Sequence, residues 1–208
     1  MKASPWKQSA LAPDTPAPGH RKSDRTREAI LDAARITFAR KGFSGVTIRD
    51  ITDLAEVTRA NFYYYFRDKT ELFIELGTTT YRESLRTVES LGDLDGPSEA
   101  AIHEWVTRYF EYLDRNGAFV IRSEDDSPKD PKFRAAVARS YRRTASALGD
   151  HLAKLSASPS RVDSAAIGLA VMAMLERSWL MAQHNDIPSV TRETVVAALT
   201  ELISRMID

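Results

Sequence analysis

Apolar residues recur at spacings of three and four along most of the chain, and no stretch alternates apolar and polar positions as a half-buried strand does. The pattern predicts an all-α protein. A first helix is expected from about Asp24 to Arg40, with Ile30, Leu31, Ala33, Ala34 and Phe38 as its stripe. Lys41-Gly42-Phe43 ends it, because Gly42 can take the positive φ of a helix stop. Thr47 caps a short second helix carrying Ile48, Ile51, Leu54 and Ala55, and Asp50 faces its positive end. Glu56-Val57 makes a tight turn. Thr58 caps a third helix, Arg59 to Phe66, whose buried side is Phe62 and Phe66. Asp68-Lys69-Thr70-Glu71 resembles a capping box and opens a connecting helix that runs to about Leu91.

Beyond a loop at 92–97, a helix is expected from Ser98 to Asn116, with Ile102, Trp105, Tyr109 and Leu113 on one stripe and Val106 and Phe110 beside it. Gly117 is expected to end it, followed by a short apolar run to Arg122 and an acidic loop at 123–127. Asp130-Pro131 starts a long helix with the stripe Phe133, Val137, Tyr141, Leu148, Leu152 and Leu155. The next helix, Arg161 to about His184, carries no charge from Ser164 to Leu175 and is apolar on every side, which predicts a helix covered all round. The last, about Thr191 to Ile207, has a stripe too wide for one core contact: Val195, Leu199, Leu202 and Met206, with Val196, Ile203 and Ile207.

Residues 1–23 hold Pro5, Pro13, Pro16 and Pro18 among Ala, Ser and Gly, and are expected to be a disordered tail. The domain plan is then a tail at 1–23, a three-helix helix-turn-helix domain at 24–75, and a second helical domain at 76–208. The basic residues His20, Arg21, Lys22, Arg25 and Arg27 are open to two readings, a solvated stretch or an arm reaching DNA phosphates or a minor groove.

Composition narrows the class. The chain has 208 residues, with Lys+Arg 29 against Asp+Glu 29 and no cysteine, which excludes disulfide scaffolds and thiolate metal sites. No secretory h-region follows Lys2, and no apolar run is expected to span a membrane, so a cytoplasmic protein without a membrane partner is expected. The charge is uneven: 13 Lys/Arg against 10 Asp/Glu over residues 1–75, then 16 against 19 over the rest. A mildly basic N-terminal third fits a polyanion at one end.

Two short helices joined by a tight turn, after a supporting helix, describe a helix-turn-helix. With Phe62 and Phe66 turned inward, the third helix presents Thr58, Arg59, Ala60, Asn61, Tyr63, Tyr64 and Tyr65. Such a face suits a duplex. Arg and Asn can read base edges, Ala or a Thr methyl can meet a thymine methyl, and hydroxyls can donate to phosphates. One of the three tyrosines can instead pack on a neighbouring helix.

The run from Thr47 through Thr58-Arg-Ala-Asn-Phe-Tyr-Tyr-Tyr-Phe66 to Lys69-Thr-Glu-Leu72 closely resembles the DNA-binding domain of TetR-family repressors. The resemblance implies an all-α homodimer with an N-terminal helix-turn-helix on operator DNA and a C-terminal ligand-binding and dimerisation domain. It implies that Thr47 meets phosphate, that Thr58, Arg59, Ala60 and Asn61 face the groove, and that Tyr63 and Tyr64 reach bases or backbone. Tyr65 would meet phosphate, and Lys69 would clamp phosphate from a helix N-terminus. Glu56 departs from the pattern, standing where many members have Gly; a positive φ there would cost about 1 kcal/mol. The last two helices would form the dimer interface, here through Leu180, Val195, Leu199, Leu202 and Met206. A dimer follows physically, since two recognition helices about 34 Å apart read successive major grooves of a palindrome.

The C-terminal region also resembles repressors of the mycobacterial ethionamide-resistance type, through Trp105, Tyr109-Phe110-Glu111, Glu176-Arg177 and Ile187-Pro188-Ser189-Val190. That likeness implies a long, mostly apolar pocket for a small apolar effector. The candidate lining is Trp105, Tyr109, Phe110, Phe119, Met172, Leu175, Glu176 and Trp179, each of which is equally a candidate core residue. Glu176 either orients an effector or pairs with a neighbouring Arg.

Two other classes fit the sequence less well. An enzyme would need a motif that is absent: His103-Glu104 is followed by Trp-Val-Thr, and there is no phosphate loop or nucleophile elbow. The histidines have no ligand spacing, so neither a metal site nor a cofactor is expected. An interaction protein that has lost DNA binding would not need the Thr47, Thr58, Arg59, Tyr63, Tyr65 and Lys69 set.

Overall fold

In a computed structural model, residues 18–94, 96, 98–158, 161–183 and 190–207 are described, the side chains of 18–22 excepted. Residues 1–17 of the expected tail lie outside them, as do Ile187-Pro188-Ser189. The described residues form α1 (Pro18–Gly45), α2 (Ile48–Leu54), α3 (Arg59–Tyr65), α4 (Lys69–Glu89), a 3-10 turn (Ser90–Asp93), α5 (Glu99–Asp125), α6 (Pro131–Leu155), α7 (Ser164–Gln183) and α8 (Arg192–Ile207), with no strand among them.

α1 starts at Pro18, six residues ahead of the expected Asp24, so residues 18–23 are helical and not part of a tail. Proline suits a helix's first turn, where its missing N–H has no intrahelical partner. Inside the helix, Gly42 takes φ 72 and ψ 171, which is the stop read at Lys41-Gly42-Phe43. The caps follow the sequence closely. The side chains of Thr47, Thr58 and Asp68 accept from the backbone N–H groups of Asp50, Asn61 and Glu71 respectively. Each such cap contributes about 1 kcal/mol. The turn between α2 and α3 carries Glu56 at φ 54, fixed by a hydrogen bond from the Val57 N–H to the Thr52 carbonyl at 3.0 Å.

Two apolar cores result. The first joins Ile30, Ala34 and Phe38 of α1 to Ile51, Phe62, Phe66, Leu72, Phe73 and Leu76, and it is completed by Phe119 and Val120 from the far end of α5. The second lies between α5, α6, α7 and α8 around Trp105, Tyr109, Phe110, Leu148, Leu175 and Ile203. α5 therefore serves both. It does so because it does not stop at Gly117: it runs on to Asp125, taking in the expected apolar run and the start of the acidic loop. Gly117 lies under the Trp179 ring, where a Cβ would come within 2.6 Å of the ring carbons, so its smallness serves packing instead of termination. α6 and α7 cross so closely that a Cβ on Gly149 would lie 1.7 Å from the Ser164 carbonyl oxygen.

α7 departs from expectation in another way. It buries Gly168, Val171, Met172, Leu175 and Trp179, but Ala166, Leu169, Ala170, Ala173 and Met181 face outward. Within one chain it is covered on one side only. By length and composition it could also cross a membrane, with a mean hydropathy of 1.4, contrary to the reading that no run reaches that length. In the fold it is a bundle helix packed on α6 and α8.

Candidate nucleic-acid interface and effector cavity

α3 presents the expected face. Phe62 and Phe66 are fully buried beneath it, each contributing roughly 1.5–3 kcal/mol of burial that fixes the helix's rotation. Thr58, Arg59, Ala60, Asn61, Tyr63 and Tyr64 are all exposed, Tyr64 to 77%, and Thr47 is exposed at the start of α2. The side chains are already ordered among themselves. The Arg59 guanidinium lies over the Tyr63 ring, 5.5 Å from its centroid, and donates to the Tyr63 hydroxyl at 3.1 Å. Asn61 Oδ1 accepts from the Thr58 hydroxyl at 2.5 Å, which leaves the amide nitrogen of Asn61 as its outward donor. Tyr65 is the tyrosine that turns back: half-buried, it shares a 3.1 Å hydrogen bond with the Ser23 hydroxyl of α1.

Lys69 is held from within. Its Nζ donates to the carbonyls of Phe43 at 2.7 Å and Val46 at 2.8 Å, and stands 4.6 Å from the Phe43 ring centroid. One N–H remains for any further acceptor. Beside it, the Lys41 ammonium and then the Thr47 donors hold the Asp50 carboxyl well below the usual carboxylate range.

The C-terminal candidates divide. Trp105, Tyr109, Phe110, Met172 and Leu175 are packed in the second core, and Trp179 is also buried, its indole donating to Asp114 at 2.8 Å. A cavity of about 510 Å³ lies elsewhere, between α4, α5 and α6. Of the eight candidates only Phe119 lines it. α4 supplies Phe73, Gly77, Thr80 and Tyr81; α5 supplies Phe119, Val120, Ser123 and Glu124; α6 supplies Phe133, Arg134, Val137, Ala138, Tyr141 and Arg142. Glu176 stands behind it, accepting from the Tyr141 hydroxyl at 3.4 Å, and it is in none of the ion pairs among the described residues, so it does not pair with Arg177. Burial, then the Glu124 carboxylate, pushes the Glu176 carboxyl up to about 7. Burial likewise pushes the Tyr81 phenol up to about 12 and those of Tyr109, Tyr112 and Tyr141 higher still. All these tyrosines are neutral at physiological pH.

The candidate dimer residues also divide. Leu202 and Met206 are 49% and 46% exposed on α8, and Leu180 and Val195 are half-buried. Leu199 is buried in the chain's own core against α5, because it falls on the α8 face shared with Val196 and Ile203. No group of three or more His, Cys, Asp or Glu is placed to hold a metal among the described residues.

Comparison with known proteins agrees with this geometry. Residues 30–76 match the family model of bacterial regulatory proteins, tetR family. The chain is 37% identical over 99 residues to the HTH-type transcriptional repressor NicS of Pseudomonas putida, 47% of this chain and 46% of the relative, so it covers less than half of that protein's length. Its fold matches regulatory protein TetR from Rhodobacter sphaeroides with a TM-score of 0.66 at 20% identity, over 88% of this chain and 99% of the other. It matches the TetR-like regulator LfrR from Mycobacterium smegmatis, solved with proflavine, with a TM-score of 0.65 at 22% identity, over 90% and 98%. These findings show a TetR-like fold and an N-terminal segment that matches the tetR-family model. They lend nothing to the narrower likeness to the ethionamide-resistance type.

Proposed function

We propose that this chain is a non-enzymatic, sequence-specific DNA-binding transcriptional repressor that works in the cytoplasm as a homodimer and leaves its operator when a small effector binds. The observation that carries the reading is the exposed face of α3. Arg59, Asn61, Tyr63 and Tyr64 form an outward array over a fully buried Phe62–Phe66 base, with Tyr65 turned back toward α1. Residues 24–75 serve as the DNA-binding domain. Thr47, Tyr65 and Lys69 meet phosphates, and Thr58, Arg59, Ala60, Asn61, Tyr63 and Tyr64 meet the groove. Residues 76–208 bind the effector and dimerise. The effector has a largely apolar body, and its place is the α4–α5–α6 cavity, not the Trp105–Tyr109 core.

The second copy covers the outward faces of α7 and α8, with Leu180, Val195, Leu202 and Met206 in the contact. The cavity adjoins the helix-turn-helix core directly, because Phe73 and Phe119 belong to both. An effector there acts on α4 and α5 together. Release needs only unequal affinity for the two DNA-binding conformations, about 1.4 kcal/mol per tenfold loss of operator binding. A gel shift on the DNA upstream of the chain's own coding sequence tests the reading. A specific complex that Arg59→Ala abolishes supports it; no specific complex with any duplex selected from a random library overturns it.

A further inference from the structure

The cavity's lining is ordered along its length. Phe73, Phe119 and Phe133 gather at one end, with ring centroids 5.2 Å apart for Phe73–Phe119 and 5.8 Å for Phe73–Phe133. Eight residues further along α4 and α6 stand Tyr81 and Tyr141, two helical turns or about 12 Å away. Glu124 is on the cavity wall, and Glu176 stands just behind Tyr141, its one hydrogen-bond partner among the described residues being that hydroxyl at 3.4 Å; Glu124 is close enough to influence Glu176 and both tyrosines. Neither acid has an ion-pair partner among the described residues. Behind them the Tyr109 hydroxyl is fully buried and has no hydrogen-bond partner. The bases that line the cavity, Arg134 and Arg142, are both exposed, so they stand at its rim.

We propose that the effector is a monocation: an apolar ring system of about two fused rings whose positive charge is met by Glu176, with Glu124 assisting. The inference rests on the effector reading above and names its chemistry. The apolar body lies on the three phenylalanines. The charge lies among phenol rings, whose electron-rich faces attract cations. A buried carboxylate without a base gains most from a mobile cation, since the interaction is stronger away from water. An anion would be held at the exposed, solvent-screened rim arginines, and farther in it would face two carboxyls.

Three matched probes test this: naphthylmethylammonium, naphthylmethanol and naphthoate, titrated against the full-length protein by naphthalene fluorescence. The cation is expected to bind about tenfold or more tighter than the alcohol, and the anion weakest. Glu176→Gln should remove about tenfold from the cation's affinity and leave the alcohol's unchanged; Glu124→Gln, at an exposed position that does not endanger folding, should remove less. Equal affinity for the three probes, preference for the alcohol or anion, or no binding of any of them overturns the proposal. So does cation preference that survives in both variants. Failure of the protein to bind any selected duplex is a separate result and strikes the repressor reading instead.

Discussion

Asp126, which caps the end of α5, grips Ser44 at the end of α1. Its carboxylate accepts from the Ser44 N–H at 3.0 Å and from the Ser44 hydroxyl at 2.7 Å. The Phe43 N–H donates to the Asp126 carbonyl at 3.4 Å. The Ser44 hydrogen bonds hold the Asp126 carboxyl below its ordinary range. Gly42 makes the approach possible, since at φ 72 a Cβ there would lie 2.3 Å from Asp126 Oδ2. Ser123 and Glu124, on the last turn of the same helix, line the cavity. Asp126→Ala is expected to raise the hydrogen-exchange rates of the Phe43 and Ser44 amides about tenfold while the α5 core amides keep their protection. Gly42→Ala should go further and lower unfolding stability by about 1–2 kcal/mol through its positive φ, as measured by urea denaturation.

The α3 face and Lys69 separate by their effect on stability. Arg59→Ala and Tyr63→Ala remove exposed groups that touch mainly each other. Both should leave the urea midpoint nearly unchanged. Arg59→Ala should cost about 1–3 kcal/mol in operator binding and relax base preference at one position, whereas Tyr63→Ala should weaken all duplexes alike. Competition gel shifts with singly substituted operators distinguish the two.

Lys69→Met should weaken DNA binding and also stability. The ammonium satisfies two carbonyls at the junction of α1 and α2, and methionine leaves both without that donor. A loss of about 1–3 kcal/mol in unfolding free energy is expected. A Lys69→Met protein as stable as the parent would mean that water replaces the ammonium at no cost.

The N-terminal part was legible in detail because its signals are local. Caps at Thr47, Thr58 and Asp68, the stop at Gly42 and the i, i+4 pair Phe62–Phe66 each fix a conformation within a few residues. The cavity was not, because its position depends on how three helices cross. Phe133, Val137 and Tyr141 have the spacing of a core stripe, which is the same whether the facing surface is packed or open. Trp105, Tyr109 and Phe110 have that spacing too and are packed. Gly117 misled for a related reason: a helix stop and a helix contact under Trp179 both ask for a residue without a side chain.

Glu176 predicts a pH dependence opposite to that of a paired surface carboxylate. Burial pushes its carboxyl from the ordinary 4.5 of glutamate up to about 7, so between those values the native state holds a proton that the unfolded chain has released. Unfolding stability should therefore fall as pH rises from about 4.5 through about 7 and level off above. Partial exposure screens the effect, which should be on the order of 1–2 kcal/mol. Glu176→Gln should flatten this limb of the curve, gaining stability over the parent at pH 8 and little at pH 5, in urea titrations across that range.

The α7–α8 face gives a test in which folding and assembly part company. Leu202 and Met206 lie outward on α8, and Leu169 and Met181 lie outward on α7, whereas Leu199 lies inward. Leu202→Glu with Met206→Glu places two charges where a partner's apolar face would rest and touches nothing in the chain's own core. The double variant should sediment as a folded monomer with an unchanged circular dichroism spectrum and lose most operator affinity, since a single recognition helix reads too few base pairs. Leu199→Ala should do the reverse. It opens a hole beneath α5, costs about 2–5 kcal/mol of stability, and leaves whatever protein remains folded dimeric. A double-Glu variant that still sediments as a dimer would move the interface off these two helices.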